Sequence, residues 1–550
     1  MKFAETHSAV APSRPSSIAI PDSKAILTAF AIVVLLLAVR FAMGLQLDGM
    51  DDAGYLEAAR RVSRGESLDS LFPLFRTRVG MAYPLGWLVG TDWISPSQFW
   101  LLTTMAECVT VVSLLVAGRL LGGATAVGVW AALLYAVYPL AVQQGMMYYP
   151  TAFQVASITA ALALIGAAEG LRGSNRIALA FAGGVSLGLG YLVKEDVAIV
   201  VPALVLAAAV VRYPRISTTF TLCAGAALVF ALESFVYWQS TGNPLFRLNA
   251  TSGLGFQSQD NLKIGAIYHW GAYLRSLWLM PFQVGIMWWL LIPASWTIWR
   301  ARARGNASNG TALVVLLLVI VGAYLEFGSG SFRTYSPLPK TPRYTALVTP
   351  MVMLLVGAWL THLFNTRRIM ARWVVGAVTL SAIPCIMFLA ASSGERTRNT
   401  RSVLPALEQI GEATLYSDFY SVRLLRLLKP NSNVAVWFHA RFDTNEIVIH
   451  EQPAEHSGAY VLLDRQMEKF YTSPSSYGIG LPATIAEPPA DWKIVWTERA
   501  YGDGSVTRTL LESMRTVLGK LPEGSALRVR GVRYIADMID NDRATLYQVP

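Results

Sequence analysis

Between Ala25 and Ser393 the chain is divided into apolar runs long enough to cross a bilayer, separated by short polar loops. A helix needs roughly 20 apolar residues to span the hydrocarbon core, and no open sheet can survive there. On that rule about eleven spans are expected, centred near Val34, Val111, Tyr135, Ala160, Val185, Leu204, Ala226, Trp288, Leu317, Leu355 and Leu380. The composition agrees: 54% of residues are hydrophobic and 15% charged, against roughly 25% charged in soluble proteins. The 16 Trp and 22 Tyr suit side chains that anchor at bilayer interfaces. The fold class expected is an α-helical polytopic membrane protein.

The first run, Ala25 to Leu47, has a short uninterrupted core, Ala25 to Val39, broken by Arg40. It reads as an uncleaved span rather than a signal peptide, with Arg40 snorkelling to an interface. Met1 to Ser23 is polar, rich in Pro and Ser, and reads as a disordered cytoplasmic segment. With the N-terminus in the cytoplasm, the short loops bearing Arg119, Arg172, Arg176, Arg212, Arg215, Arg300, Arg302, Arg304, Arg367, Arg368 and Arg372 all fall inside. That alternation follows the positive-inside rule. Residues 48–96, 144–150, 194–196, 239–276 and 328–343, and everything after about 394, then lie outside, with nearly all the acids. The net charge of +10 comes mostly from these basic loops and is not a nucleic-acid signal. Cys108, Cys223 and Cys385 all sit in apolar runs, so neither a disulfide framework nor a zinc spacing is available.

After Ser393 the composition turns polar. The apolar stretches 434–438, 446–450 and 459–463 predict strands, and Val403 to Ile410 and Leu510 to Leu518 predict helices. Residues 394–550 therefore read as a soluble α/β domain outside the membrane, following a membrane domain over 24–393. It carries no nucleotide loop, nucleophile elbow or metal cluster, and the chain shows no internal repeat.

Polar residues gather on the outer side. Asp48, Asp51 and Asp52 follow the first span, and Arg76, Arg78 and Tyr83 lie later in the same loop. Tyr148 and Tyr149 end the third span, Lys194, Glu195 and Asp196 cap the fifth, and Glu233 closes the seventh. Arg333, Lys340, Arg343 and Tyr344 precede the tenth. Each has a plain structural reading. The aspartates suit a solvated helix start. Lys194-Glu195-Asp196 suits a hairpin with a local ion pair. Arg333, Lys340 and Arg343 suit headgroup anchors, the tyrosines an interfacial belt, and Glu233 has no partner visible in sequence. Together they suit one task. A carboxylate can act as general base on an acceptor hydroxyl, while Arg and Lys hold a lipid phosphate as leaving group. Ala53 to Val62 after the aspartates has the composition of an interfacial helix, with Arg60, Arg61 and Arg64 facing headgroups.

Asp51-Asp52-Ala53-Gly54-Tyr55, followed by Ala58, Ala59 and Gly65, resembles the D-E-x-x-Y…A…G motif of GT-C-fold glycosyltransferases of the protein O-mannosyltransferase and aminoarabinose-transferase type. Tyr83-Pro84-Leu85 resembles the P-P-L segment of that family, and GGVSLGLGYLVKED its G…G-L-a…K element. ESFVYWQSTGNPLF and PRYTALVTPMVMLL resemble its T-G-D/N-P-L-F and R-Y…P elements. The resemblance covers about residues 25–395. It implies transfer of a sugar, with inversion, from a polyprenyl-phosphate carrier to a lipid, glycan or protein acceptor outside the membrane. Asp51 would be the catalytic or acceptor-orienting carboxylate, with Asp52 in place of the usual Glu. Arg76, Arg78, Tyr83, Lys194, Glu195, Arg343 and Tyr344 would line the donor and its phosphate. No cofactor is implied; a divalent metal is not generally needed and stays open. The implied location is the bacterial inner membrane, with the site and C-terminal domain periplasmic. The chain departs from several relatives in carrying Tyr148-Tyr149-Pro150-Thr151 where they carry an acid after the third span, so a second acidic role would either pass to Glu195 or Asp196 or be absent. The rival readings are a transporter or lipid flippase, a polysaccharide polymerase or O-antigen ligase, and a non-catalytic envelope protein.

Overall fold

The computed structural model describes residues 23–43, 51–69, 71–94, 98–252, 271–279, 284–304, 308–329, 338, 340, 342–393, 400, 402–429, 432–441, 446–472, 480–499, 506–540 and 543–550. The membrane part begins with α1 (Ser23–Met43), α2 (Asp51–Ser63), α3 (Pro73–Thr77), α4 (Val79–Gly90), α5 (Trp100–Leu121) and α6 (Thr125–Ala136). It continues through α7 (Pro139–Gly145), α8 (Pro150–Glu169), α9 (Gly173–Val193), α10 (Val200–Val211), α11 (Ile216–Thr241) and α12 (Phe246–Ser252). Then come α13 (Met287–Ala303), α14 (Asn309–Phe327), α15 (Thr349–Thr366) and α16 (Arg368–Ser393). Every span centre expected from sequence lies in one of these helices. Among the described residues, six helices are long and apolar enough to cross a bilayer: α5, α8, α9, α11, α14 and the Arg368–Met387 part of α16. A seventh span is formed if α6 and α7, bent by 63°, are taken as one. The bend falls at Tyr138-Pro139, where the proline ring and missing N–H cannot continue a helix.

The lipid-facing surface of the bundle is apolar, and its interior mixes apolar with small and polar residues. On α11, Ile216, Phe220, Leu228, Leu232 and Val236 recur every one or two turns and are exposed. Thr218, Gly225 and Glu233 of the same helix are buried. Helices gain no hydrophobic drive by meeting inside lipid, so close approach through small residues matters more. A β-carbon on Gly184 of α9 would fall on the Leu222 carbonyl of α11, and one on Gly225 would fall on the Phe181 carbonyl. Gly184→Leu is expected to separate these helices and abolish monodisperse elution in size-exclusion chromatography. Gly322→Ala, where a β-carbon meets nothing within 4 Å, should elute as wild type.

Arg40 does not snorkel. It is 6% exposed, and its Nε and Nη2 donate to the two Glu107 carboxylate oxygens at 2.7 and 2.8 Å. Nη1 reaches the Ala136 carbonyl at 3.3 Å. A carboxylate on α5 therefore keeps the guanidinium inside, where an unpaired charge would be driven to the interface.

The C-terminal part holds β1 (Leu415–Asp418), β2 (Val434–Arg441), β3 (Glu446–Ile449), β4 (Tyr460–Asp464), β5 (Lys493–Arg499) and β6 (Arg543–Gln548). Around them lie α17 (Leu404–Ile410), α18 (Phe419–Leu428), α19 (Arg465–Thr472), α20 (Ala483–Ala486), α21 (Val506–Gly519) and α22 (Ala526–Asp540). The predicted strands and helices of this part all form. The sheet order is β3-β2-β1-β4-β6-β5. β1 is parallel to β2 and β4, and the remaining pairings are antiparallel. Alternation along β4 sends Val461 and Leu463 to one core and Leu462 to the other, as a pleat of period two requires.

α18 joins the two parts. Asp418 caps it, its Oδ1 accepting from the Tyr420 and Ser421 N–H groups at 2.9 and 3.2 Å. Leu424 then packs in one cluster with Tyr55 and Leu56 of α2. Arg60 donates to the Arg426 carbonyl at 2.7 Å. The sequence points Arg60 at headgroups; in the structure its guanidinium instead serves the seam with the sheet domain.

Candidate functional site on the first loop and its partners

α2 begins at the acidic pair, where carboxylates face the partial positive charge of a helix start. The two aspartates are not equivalent, and a uniformly solvated helix start is not what forms. Asp52 is fully buried, with Oδ1 accepting from the Ala53 N–H at 2.7 Å. The Asp51 side chain is 33% exposed, and Oδ2 lies 3.6 Å from Arg343 Nη1. Tyr55 stands one turn further on, buried, its ring edge-on to Phe75 at 5.2 Å. The Tyr55 hydroxyl accepts from the Arg78 guanidinium.

Arg78 starts an ionic chain whose arginines are buried and whose central carboxylate, Glu195, is 28% exposed. Its Nη2 and Nε meet the Glu195 carboxylate at 2.9 and 3.3 Å. Arg247 continues the chain, meeting Glu195 at 3.4 Å and Glu233 at 2.8 Å, with its guanidinium 4.5 Å from the Tyr191 ring. Burial alone would raise the Glu195 pKa. Arg78 and Arg247 outweigh it and hold that carboxyl well below the usual carboxylate range. Glu233, without a visible partner in sequence, has Arg247. Tyr148 and Tyr237 fix the same loop by donating to the Met81 and Thr77 carbonyls at 2.6 and 3.1 Å. Tyr148 and Tyr149 are both buried, which replaces the interfacial-belt reading.

A second, more open group lies beside Asp51. Lys194 pairs with Asp196 at 2.7 Å, and Gln154 donates to the same carboxylate. The Lys194 ammonium sits 3.9 Å from the Tyr344 ring centre, and the Arg343 guanidinium lies 5.5 Å from that ring and 6.0 Å from Tyr149. One aromatic ring thus carries two cations, from segments 149 positions apart by their numbers. Arg343 remains 47% exposed. Ring and cation attract each other here; Lys194 is otherwise held by Asp196 at 13% exposure, so Arg343 is the more open of the two cations.

The structure therefore brings together Asp51, Arg343, Tyr344 and Lys194, and separately joins Arg78 to Glu195. Tyr83 faces outward at 53% exposure. Arg76 is half-buried, with its guanidinium 5.2 Å from the Phe246 ring and Nη1 3.3 Å from the Asp69 carbonyl. Lys340 is buried rather than displayed to headgroups. Asp48 and Arg333 lie outside the described residues.

Arg247, Gln154 and Arg423 are absent from the sequence-derived set. Arg247 follows directly on T-G-N-P-L-F, which is the one local signal available. Arg423 comes from α18, its guanidinium 5.1 Å from the Phe75 ring. Burial pulls it below the ordinary arginine range, with Glu57, Tyr420, Asp52 and Asp51 acting in the opposite direction. The acidic pair is thus faced by a cation of the membrane part and by one of the sheet domain. Among the described residues, no group of three or more His, Cys, Asp or Glu is placed to hold a metal.

No protein-family model matches the sequence, and no curated protein matches it. Solved structures do match. The oligosaccharyltransferase of Archaeoglobus fulgidus, tethered to an acceptor peptide containing the NVT sequon, is 11% identical, with a TM-score of 0.50. That match covers 96% of this chain and 89% of the other. Oligosaccharyltransferase AglB from the same organism, in complex with an inhibitory peptide and a dolichol-phosphate, is 9% identical over 96% of this chain and 88% of that one, at a TM-score of 0.47. The first likeness establishes architecture alone: the chain has a GT-C-type membrane fold followed by a C-terminal sheet domain.

Proposed function

We propose that the protein is an inverting membrane glycosyltransferase that moves a sugar from a polyprenyl-phosphate carrier to an extracytoplasmic acceptor. The observation that carries this reading is the half-open Asp51 carboxylate set beside Arg343, Tyr344 and Lys194. Asp51 accepts the proton of an acceptor hydroxyl as its oxygen attacks the anomeric carbon. The carbon–oxygen bond to the carrier phosphate breaks on the opposite face, and its electron pair leaves on the phosphate. Arg343 and Lys194 stabilise that charge. Tyr55, Arg78, Glu195, Arg247 and Glu233 act as the rigid frame beneath, since fixed charges need no reorganisation when the reaction occurs. The order of motifs along the membrane part and the GT-C-type fold support the reading. In it, residues 24–393 make eleven crossings and hold the catalytic site. The N-terminus is cytoplasmic, and residues 394–550 lie periplasmic beside the site, the whole in a bacterial inner membrane. The acceptor is a lipid, glycan or protein.

The test compares envelope glycans and glycolipids by mass spectrometry in a deletion strain, a strain with the gene restored, and one restored as Asp51→Asn at equal protein level. A defined sugar mass should vanish on deletion and return only with the wild type. Full restoration by Asp51→Asn overturns the assignment of Asp51. Restoration that also requires an ion gradient turns the reading to a transporter.

A further inference from the structure

At the far end of α2 from Asp51, a cleft of about 380 Å³ opens between the first outer loop and the sheet domain. Arg60, Arg61, Arg64 and Arg426 line it, against the carboxylates Glu57 and Glu66. Ser432 and Asn433 add neutral polar groups from the sheet side. Four guanidinium groups against two carboxylates leave the cleft positive. Arg61 is paired with Glu57 at 3.2 Å, while the pair at the open end is looser. Arg64 meets Glu66 only at 3.7 Å, with side chains 65% and 48% exposed, and exposed pairs of this kind contribute little. Arg426 spends Nη2 on the Val434 carbonyl at 2.9 Å, a neutral acceptor. Arg60, packed into the seam, is pulled below the ordinary arginine range first by burial and further by Arg64, with Glu57 opposing. An anion in the cleft would relieve that repulsion.

We propose that this cleft binds a phosphate group, gripped by Arg60 and Arg61 of α2, by Arg64 just after it and by Arg426 of the sheet domain. Arginine suits that ligand because its planar fork matches phosphate oxygens in pairs. At 1.5 Å of rise per residue, Arg60 lies about 14 Å along the helix from Asp51. A phosphate held there belongs to a part of a bound molecule remote from the reacting hydroxyl, or to a neighbouring lipid headgroup. Only the identification of that molecule as an acceptor rests on the transferase reading; the binding does not.

The full chain is reconstituted in phosphatidylcholine nanodiscs and titrated calorimetrically with inorganic pyrophosphate. A Lys194→Gln/Arg343→Gln background silences the proposed carrier-phosphate site. In that background binding should persist. Adding Arg64→Gln and Arg426→Gln should weaken it at least tenfold, whereas Arg64→Lys and Arg426→Lys should retain most of it, with elution profiles unchanged. Phosphatidylglycerol in the discs should weaken pyrophosphate binding if a headgroup is the occupant, and leave it unchanged if a separate molecule is. Pyrophosphate binding that is absent from the Lys194→Gln/Arg343→Gln background, or indifferent to the Arg64 and Arg426 substitutions, overturns the proposal. Loss of transfer in Asp51→Asn with intact pyrophosphate binding would leave both readings standing. Asp51→Asn with full transfer removes only the catalytic one.

Discussion

Arg247→Met is expected to destabilise the protein by about 3–5 kcal/mol, the usual cost of leaving a buried partner charge uncompensated. Arg247 is 1% exposed and pairs with both Glu233 and Glu195, at 2.8 and 3.4 Å. Removing it strands Glu233, whose side chain is 5% exposed, and leaves Glu195 with Arg78 as its ion-pair partner. The measurement is thermal unfolding of the detergent-purified chain. Arg247→Met/Glu233→Met should recover much of the loss, because a buried pair replaced by apolar side chains of similar volume is often neutral. A double variant no better than the single one would show that the pair is not the source of the effect. The pH dependence has a definite sign. The Glu195 folded pKa is depressed, so its contribution is present above the unfolded value, about 4.3, and is lost as pH falls through the lower folded value. The wild type should therefore lose nothing from this group between about pH 5 and 8. In Arg247→Met one of its two cations is gone, so the folded value is less depressed and the loss from this group on acidification below about pH 4.3 should be smaller than in the wild type.

The second large effect is expected at Arg40. Arg40→Met leaves Glu107, 1% exposed on α5, without its bidentate partner. A fall of about 3–5 kcal/mol follows from the same argument. Arg40→Lys should also be costly, since one ammonium cannot reproduce two parallel bonds at 2.7 and 2.8 Å together with the one to Ala136. Arg40→Met/Glu107→Met should restore thermal stability. If the single Arg40→Met variant melts as wild type, the Arg40–Glu107 pair does not contribute to stability and the argument from an uncompensated charge fails.

These two sites mark the boundary between what could be read from the residues and what could not. The helices around Val111, Ala160, Val185, Ala226 and Leu317, and the strands beginning near Val434, Glu446 and Tyr460, were legible. Helix length in lipid and alternation in a sheet are local properties of consecutive residues. The acidic start of α2 was legible for the same reason, and with it the proximity of Tyr55 to Asp51. The unequal fates of Asp51 and Asp52 were not, because burial of one and exposure of the other depends on what packs around the helix start. Nor were the partners of the buried charges. Arg40 and Glu107 are 67 positions apart, Arg78 and Glu195 are 117 apart, and Arg247 and Glu195 are 52 apart. Each looks locally like an isolated polar interruption of an apolar or loop segment, and its sequence neighbours say nothing of the carboxylate across the bundle. Arg60 and Arg423 make the same point at the domain seam. By itself the sequence determined a membrane bundle with charged residues in the loops between its spans, followed by an α/β domain, because hydrophobic length and period are written in consecutive residues. Only the tertiary structure decided which charges neutralise each other and which remain open, because Coulomb pairing depends on distance in space, and the fold alone sets that distance.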